Sequence, residues 1–417
     1  MPPKGTITRD DPVPPGPPFK NPQLVTPLVD GVLVGGLSLV VIAGLLIVGL
    51  VMPSAYDGLK ARPDILDELV WIFVITSLIN GPHFMGSYWM LYSTRGQVKK
   101  HPWATIYVPV ILVGIAVLSL ALMATGARLG QDEFRFTAVM QTQLSNQVSF
   151  VGALIASFRE LPLFVGGRAI YLLMFIVSIT YLAWHYNGQG WGMTASFCYL
   201  AGIRMRDSDR KLIRSGFRAM TAMHVLFWAI PVAQQAELRG VISPGMTDAV
   251  TNLVIMVLVL AFTITIPLGI WGFRRAARRS GRRIPLRAIL PWMAIYFWYL
   301  LIFVHPYLLL VLQLSHALQY LSFPLRVEAN RHAGKGKTAV FFPFLLYLGM
   351  VAAGFMVFDL PPVLQMLEFF HLEPYKVASL VAIVVNIHHY FTDGAIWKIS
   401  NPDVRRELFS HLVTQES

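Results

Sequence analysis

The chain is a succession of sparsely charged apolar stretches, each about as long as a bilayer is thick, with lysine and arginine concentrated in alternate segments between them. The stretches fall at 29–52, 66–92, 103–125, 163–186, 215–234, 247–272, 286–304, 306–325, 339–358 and 376–397. A membrane-spanning helix needs about 20 predominantly apolar residues. The pattern therefore predicts an all-α fold: a polytopic transmembrane helical bundle of about ten spans. Long continuous apolar runs fit helices rather than the strands of a barrel. Composition agrees. Of 417 residues, 55% are hydrophobic and 13% charged, and mean hydropathy is +0.57. A soluble domain carries about 25% charged residues. So few charges cannot cover a water-facing surface, which excludes a soluble enzyme, a disordered chain and a fibre.

The net charge of +12 follows from topology and implies no nucleic-acid partner. With the amino terminus inside and ten alternating helices, every inside segment is basic, and most of the 34 lysines and arginines fall on that side. Both termini are then cytoplasmic, and the expected location is a bacterial-type inner (plasma) membrane. Residues 1–28, including PVPPGPPFKNP, read as a flexible proline-rich cytoplasmic tail without a signal-peptide core. Residues 29–398 form the transmembrane domain. Residues 399–417 form a short cytoplasmic helix and tail, opened by Asn401-Pro402. The stretch 141–160 is amphipathic and lies on the membrane or re-enters it. His305-Pro306 makes a tight turn or kink between two spans. A single cysteine, Cys198, excludes an internal disulfide and CxxC-type sites.

Ionisable side chains inside a bilayer are costly and mark function. Six of the eleven histidines fall in or at the ends of the spans: His83, His185, His224, His316, His388 and His389. The topology puts all six in the cytoplasmic half, on five helices, as a bundle does when it builds a metal or cofactor site. Pro82 kinks the second span just before His83, and Asn80, His83 and Ser87 share a face. His185 ends its helix, followed by Gly188, Gly190 and Gly192, which either let a ligand approach or simply stop the helix. His316, Gln319 and Tyr320 lie on one side of the eighth span, which Pro324 ends. In NIHHYFTDGAIWK, His389 and Asp393 stand at i, i+4, a spacing that lets both meet one metal ion. His388 diverges from His389 by about 100°, so the pair binds two ions or one of the two supports from outside. Trp397 and Lys398 mark the interface. The expected ligands are these six histidines and Asp393, with Tyr320 and Asp393 as the catalytic groups. His101, His305, His332, His371 and His411 fall in loops or at boundaries.

Imidazoles with a carboxylate suit iron or zinc. At this depth the substrate is a lipid or isoprenoid already in the bilayer. Iron, one ion or two, would activate oxygen for hydroxylation, desaturation or double-bond cleavage; zinc would activate water for hydrolysis.

The residues His388-His389-Tyr390, Asp393-Gly394 and Trp397-Lys398, with Pro82-His83-Phe84 and His316-Ala317-Leu318-Gln319-Tyr320, resemble a group of bacterial histidine-rich polytopic membrane proteins. More broadly, the chain resembles membrane-embedded, histidine-liganded iron oxygenases: lipid desaturases, hydroxylases and carotene-cleaving enzymes of the Brp/Blh type. It has an HH pair but neither an HxxxH nor an HxxHH box. The resemblance implies an oxygenase whose iron lies near the cytoplasmic side, with a separate electron donor unless the substrate supplies the electrons. Three readings stand beside it: a zinc-dependent lipid hydrolase similar to the ceramidase and progestin-receptor-like superfamily, a b-type haem protein, and a proton-coupled transporter.

Overall fold

A computed structural model describes residues 19, 22–51, 76–93, 95–128, 167–238, 240, 242–304, 309–334, 338–360, 374–397 and 402–412. The stretch 141–160 and the His305-Pro306 junction lie outside these residues. Among the described residues the fold is all-helical, without a β-strand.

In chain order the helices are α1 (Val29–Val51), α2 (Gly81–Tyr92), α3 (Arg95–Lys100), α4 (Val108–Arg128), α5 (Gly167–Leu200), α6 (Asp207–Phe227), α7 (Ala229–Leu238), α8 (Met246–Ser280), α9 (Leu286–Val304), α10 (Leu309–Arg331), α11 (Thr338–Gly354), α12 (Pro374–Ile396) and α13 (Pro402–Phe409). Wider π-helical turns precede α2 and α4, at Thr76–Asn80 and Trp103–Tyr107, and follow α11, at Phe355–Asp359.

Six described helices are long and apolar enough to cross a membrane: Val29–Val51, Trp103–Met123, Ala169–Leu200, Asp207–Leu238, Met246–Ser280 and Val340–Phe358. Their outer faces are apolar. Val110, Ile111, Val113 and Val117 on α4 and Leu253, Met256, Val259 and Leu260 on α8 are all exposed. A surface of this kind needs an apolar solvent. At 23 residues each, α10 and α12 are long enough but are not among the six. They carry His316, Gln319 and Glu328, and His388, His389 and Asp393, and these polar groups lower their hydropathy.

The bundle centre is α5, packed against α4, α6, α9 and α12. On one side α2 meets α10, α11 and α12. Glycines permit one very close crossing: a Cβ on Gly81 would lie 3.2 Å from the Gly354 Cα. Any side chain there would push α2 off α11.

Three local expectations change. The helix of His185 does not end there; α5 runs on to Leu200 through all three glycines. Each glycine costs about 1 kcal/mol in a helix, and packing outweighs it. A Cβ on Gly190, for example, would stand 2.9 Å from the Phe217 ring of α6. Pro324 likewise does not end α10, which continues to Arg331. The lost backbone bond is tolerated where neighbouring helices hold the chain, and Gly86 of α2 leaves room for the Pro324 ring. Residues 22–25, expected in the tail, are packed. Leu24 is buried, and buried Asp30 accepts from the backbone N–H groups of Leu24 and Val25 at 2.7 and 2.9 Å.

Asp209, fully buried, joins α6 to α8. It accepts from the Arg206 N–H at 3.1 Å and pairs with Arg275 at 3.5 Å and with Arg279. Asp209→Ala should destabilise the bundle by about 1.5–3 kcal/mol, the contribution of hydrogen bonds to a charged group. The check is a lower melting temperature in detergent; an unchanged one would remove this ion-pair cluster from the account of how α6 and α8 hold together.

Candidate metal centre

Three helices each bring the same unit: a histidine with a hydroxyl or carboxylate four residues later. These are His83 and Ser87 on α2, His316 and Tyr320 on α10, and His389 and Asp393 on α12. At i, i+4 the two side chains sit one above the other on one face. The three units stack in register. The upper layer is imidazole: ring centroids of His83 lie 4.9 Å from His316 and 4.6 Å from His389. The lower layer is polar: Ser87 Oγ lies 2.6 Å from Asp393 Oδ1 and 2.5 Å from Tyr320 Oη. A serine has one proton. With it given to the carboxylate, the tyrosine proton completes the second contact. Trp397 donates its indole N–H to Tyr320 Oη at 2.7 Å, extending the α12 series by another four residues. Two layers in matching order on three helices require α2, α10 and α12 to run parallel.

His185 enters from α5. Its Nε2 lies 2.8 Å from His316 Nε2 and 3.2 Å from His389 Nε2. Asp393 Oδ2 lies 3.6 Å from His185 Nδ1 and 3.5 Å from His389 Nε2. Gln189, one turn after His185, donates to the His316 carbonyl at 2.8 Å and holds α5 against α10. The histidines of the cluster and Tyr320 are buried, while the Asp393 side chain is 10% exposed.

The donor set fits a metal ion. Ligand atoms of His83, His185 and His389 all lie within 4.8 Å of one another. A tetrahedral ion with nitrogens at roughly 2.0–2.1 Å holds them roughly 3.4 Å apart, so a small inward movement closes the site. His316 and Asp393 flank this group. Protein alone does not satisfy the cluster. A neutral imidazole nitrogen either donates one proton or accepts one, so His185 Nε2 bonds one of its two histidine neighbours and repels the other. The Nδ1 atoms of His83, His316 and His389 are buried without a hydrogen-bond partner. A central cation turns the facing lone pairs from repulsive to attractive.

Two of the expected ligands are placed elsewhere. His388 turns away from His389, as adjacent helical positions must. Its Nε2 lies 2.6 Å from the Ala104 carbonyl oxygen, and its ring stacks on Tyr88. His224 lies beside α9, its Nδ1 3.4 Å from Tyr299 Oη. Asn187 also donates to that hydroxyl, at 3.1 Å. Trp397, read from the sequence as an interface marker, belongs to the polar layer. The signal was present, because 389, 393 and 397 share one helical face.

A cavity of about 570 Å³ reaches this centre, lined by His185, Tyr320 and Asp393 at its inner end and otherwise mainly by aromatic residues and glycine. Its volume is ordinary for a ligand site. No family model, curated protein or solved structure matches the chain. The site's geometry therefore carries the functional reading.

Ser87→Ala removes the group that holds Asp393 and Tyr320 together. Loss of such a support is expected to lower metal affinity about 10- to 100-fold, as measured by competition with a chelator. Unchanged affinity would mean that the polar layer does not organise the ligands.

Proposed function

We propose that this protein is a multi-pass enzyme of a bacterial-type inner membrane, a non-haem iron oxygenase acting on an apolar lipid or isoprenoid from the cytoplasmic leaflet. The observation that carries the reading is the buried convergence of four histidines and a carboxylate at the inner end of an aromatic-lined cavity. His83, His185 and His389 hold the ion, with His316 and Asp393 at its edge. Bound iron supplies the open coordination positions and electron chemistry that oxygen activation needs.

The protein residues supply position, protons and dryness. Asp393 faces both the cavity and the imidazoles, where it takes up or delivers a proton. Ser87 and Tyr320 form the relay behind it, with Trp397 fixing the tyrosine. The aromatic walls exclude water and accept apolar substrate. Cleavage by dioxygenation places both oxygen atoms of O2 in the products and needs no outside electrons. Hydroxylation inserts one and reduces the other to water, consuming two electrons and two protons from a separate donor protein.

The parallel run of α2, α10 and α12 supports the ten-span topology. In that scheme they are the second, eighth and tenth spans, all crossing toward the cytoplasm, where both termini lie. Among the alternatives, the apolar cavity favours oxidation over zinc-dependent hydrolysis of a polar bond. Imidazoles packed edge to face, with centroids 4.6–4.9 Å apart, leave no flat slot for a haem.

The test is reconstitution of metal-stripped protein with Fe(II) or Zn(II), followed by incubation with membrane lipids under 18O2. The expected result is oxygen uptake and 18O in a lipid product with iron alone. Hydrolysis with zinc and no 18O incorporation with iron would establish the hydrolase instead.

A further inference from the structure

The glycines of α5 and α12 divide by what faces them. A Cβ on Gly190 meets the Phe217 ring, whereas a Cβ on Gly188, Gly192 or Gly394 meets nothing within 4 Å. These last three line the cavity. They come from α5 and α12 on the two sides of His185 and Asp393, and their missing side chains are part of its volume.

The mouth is built differently from the interior. Trp103 and Trp184 stand there, 67% and 66% exposed, as indoles do at a membrane–water boundary. Lys100, at the end of the basic helix α3, is exposed beside them and also lines the cavity. The cavity is therefore polarised. A cation lies at the mouth, aromatic rings and bare glycine backbone lie along the walls, and the Asp393 carboxylate lies at the far end. An anionic group is attracted to the first, and the largely apolar walls beyond it suit a hydrocarbon chain better than a charge.

We propose that the cavity takes an anionic bilayer lipid tail first. Its headgroup rests on Lys100 between the tryptophans, and its apolar chain lies over Gly188, Gly192 and Gly394 toward Asp393. This replaces the wholly apolar lipid of the site proposed above by one whose chain is apolar and whose headgroup is anionic, and rests on that reading only for what happens at the chain's inner end.

The sequence offers a direct probe. The only native cysteine, Cys198, is buried, so Gly188→Cys introduces a single reactive thiol on the cavity wall, with no atom to displace. Gly394→Cys does the same from α12 should the first variant fold poorly. Each is placed in nanodiscs of phosphatidylcholine alone or phosphatidylcholine doped with phosphatidylglycerol, and labelled with a water-soluble maleimide. The expected result is fast labelling in the neutral discs and protection as phosphatidylglycerol is added. Adding Lys100→Ala should raise the phosphatidylglycerol fraction needed for half protection about fivefold, the contribution of one basic side chain near a membrane surface. Lys100→Glu should abolish protection.

Equal labelling in both discs, no labelling in either, or protection indifferent to Lys100 would each overturn the proposal. Metal analysis of the same samples separates the two readings. Lipid protection without bound metal supports the lipid site and removes the oxygenase. Bound metal without lipid protection does the reverse.

Discussion

Replacing His389 with alanine is expected to empty the metal centre, while replacing its neighbour His388 is not. His389 Nε2 faces His185 and Asp393 at 3.2 and 3.5 Å, and its ring is wholly buried among the other imidazoles. Its loss leaves His83 and His185 as the only members of the closest ligand group, one short of the three protein ligands that catalytic sites ordinarily use. His388 instead donates from Nε2 to the Ala104 carbonyl oxygen of the Trp103–Tyr107 turn. His388→Ala should lower stability by about 1–3 kcal/mol for the unpaired buried carbonyl, with metal content unchanged. Metal analysis and melting temperature on the two purified variants read both effects. Two adjacent substitutions with opposite outcomes also control for general damage to α12. Full metal in His389→Ala, or loss only in His388→Ala, would refute the assignment of the centre.

Asp393→Asn should lower turnover by about 10²- to 10⁴-fold, the usual contribution of a positioned acid or base, while most of the metal stays bound. The amide keeps the side chain's shape and an oxygen for the Ser87 hydroxyl, 2.6 Å away in the native protein, and all four imidazoles remain. What it loses is the ability to take up a proton. Turnover and metal content measured on one preparation separate the two roles of this residue. Normal turnover would remove Asp393 from the chemistry, and loss of metal in parallel with turnover would make it chiefly a ligand.

The sequence carries much of this arrangement because the relevant spacings are local. His83 with Ser87, His316 with Tyr320 and His389 with Asp393 are each pairs one helical turn apart, and an i, i+4 relation can be read without knowing the neighbours. The divergence of His388 from His389 is legible for the same reason. His224 is not: whether a histidine late in α6 faces the centre or Tyr299 of α9 depends on the rotation of α6 against α5 and α9, which no spacing within one helix sets. The glycines of α5 mislead in the same way. Local propensity reads Gly188, Gly190 and Gly192 as a helix stop. Yet the helix continues, because Gly190 packs against Phe217 and the others border the cavity. Asp30 shows the limit at the amino terminus, where a proline-rich approach looks like a free tail until a buried carboxylate captures the backbone of Leu24 and Val25.

The measurement closest to the central claim is the metal content of the wild-type protein, purified in detergent after growth with added iron, with a visible spectrum from the same sample. The account predicts iron at about one ion per chain, without a Soret band, reduced to background in His389→Ala. A chain that retains no iron or zinc after such growth would contradict it, and the four converging histidines would then need another explanation.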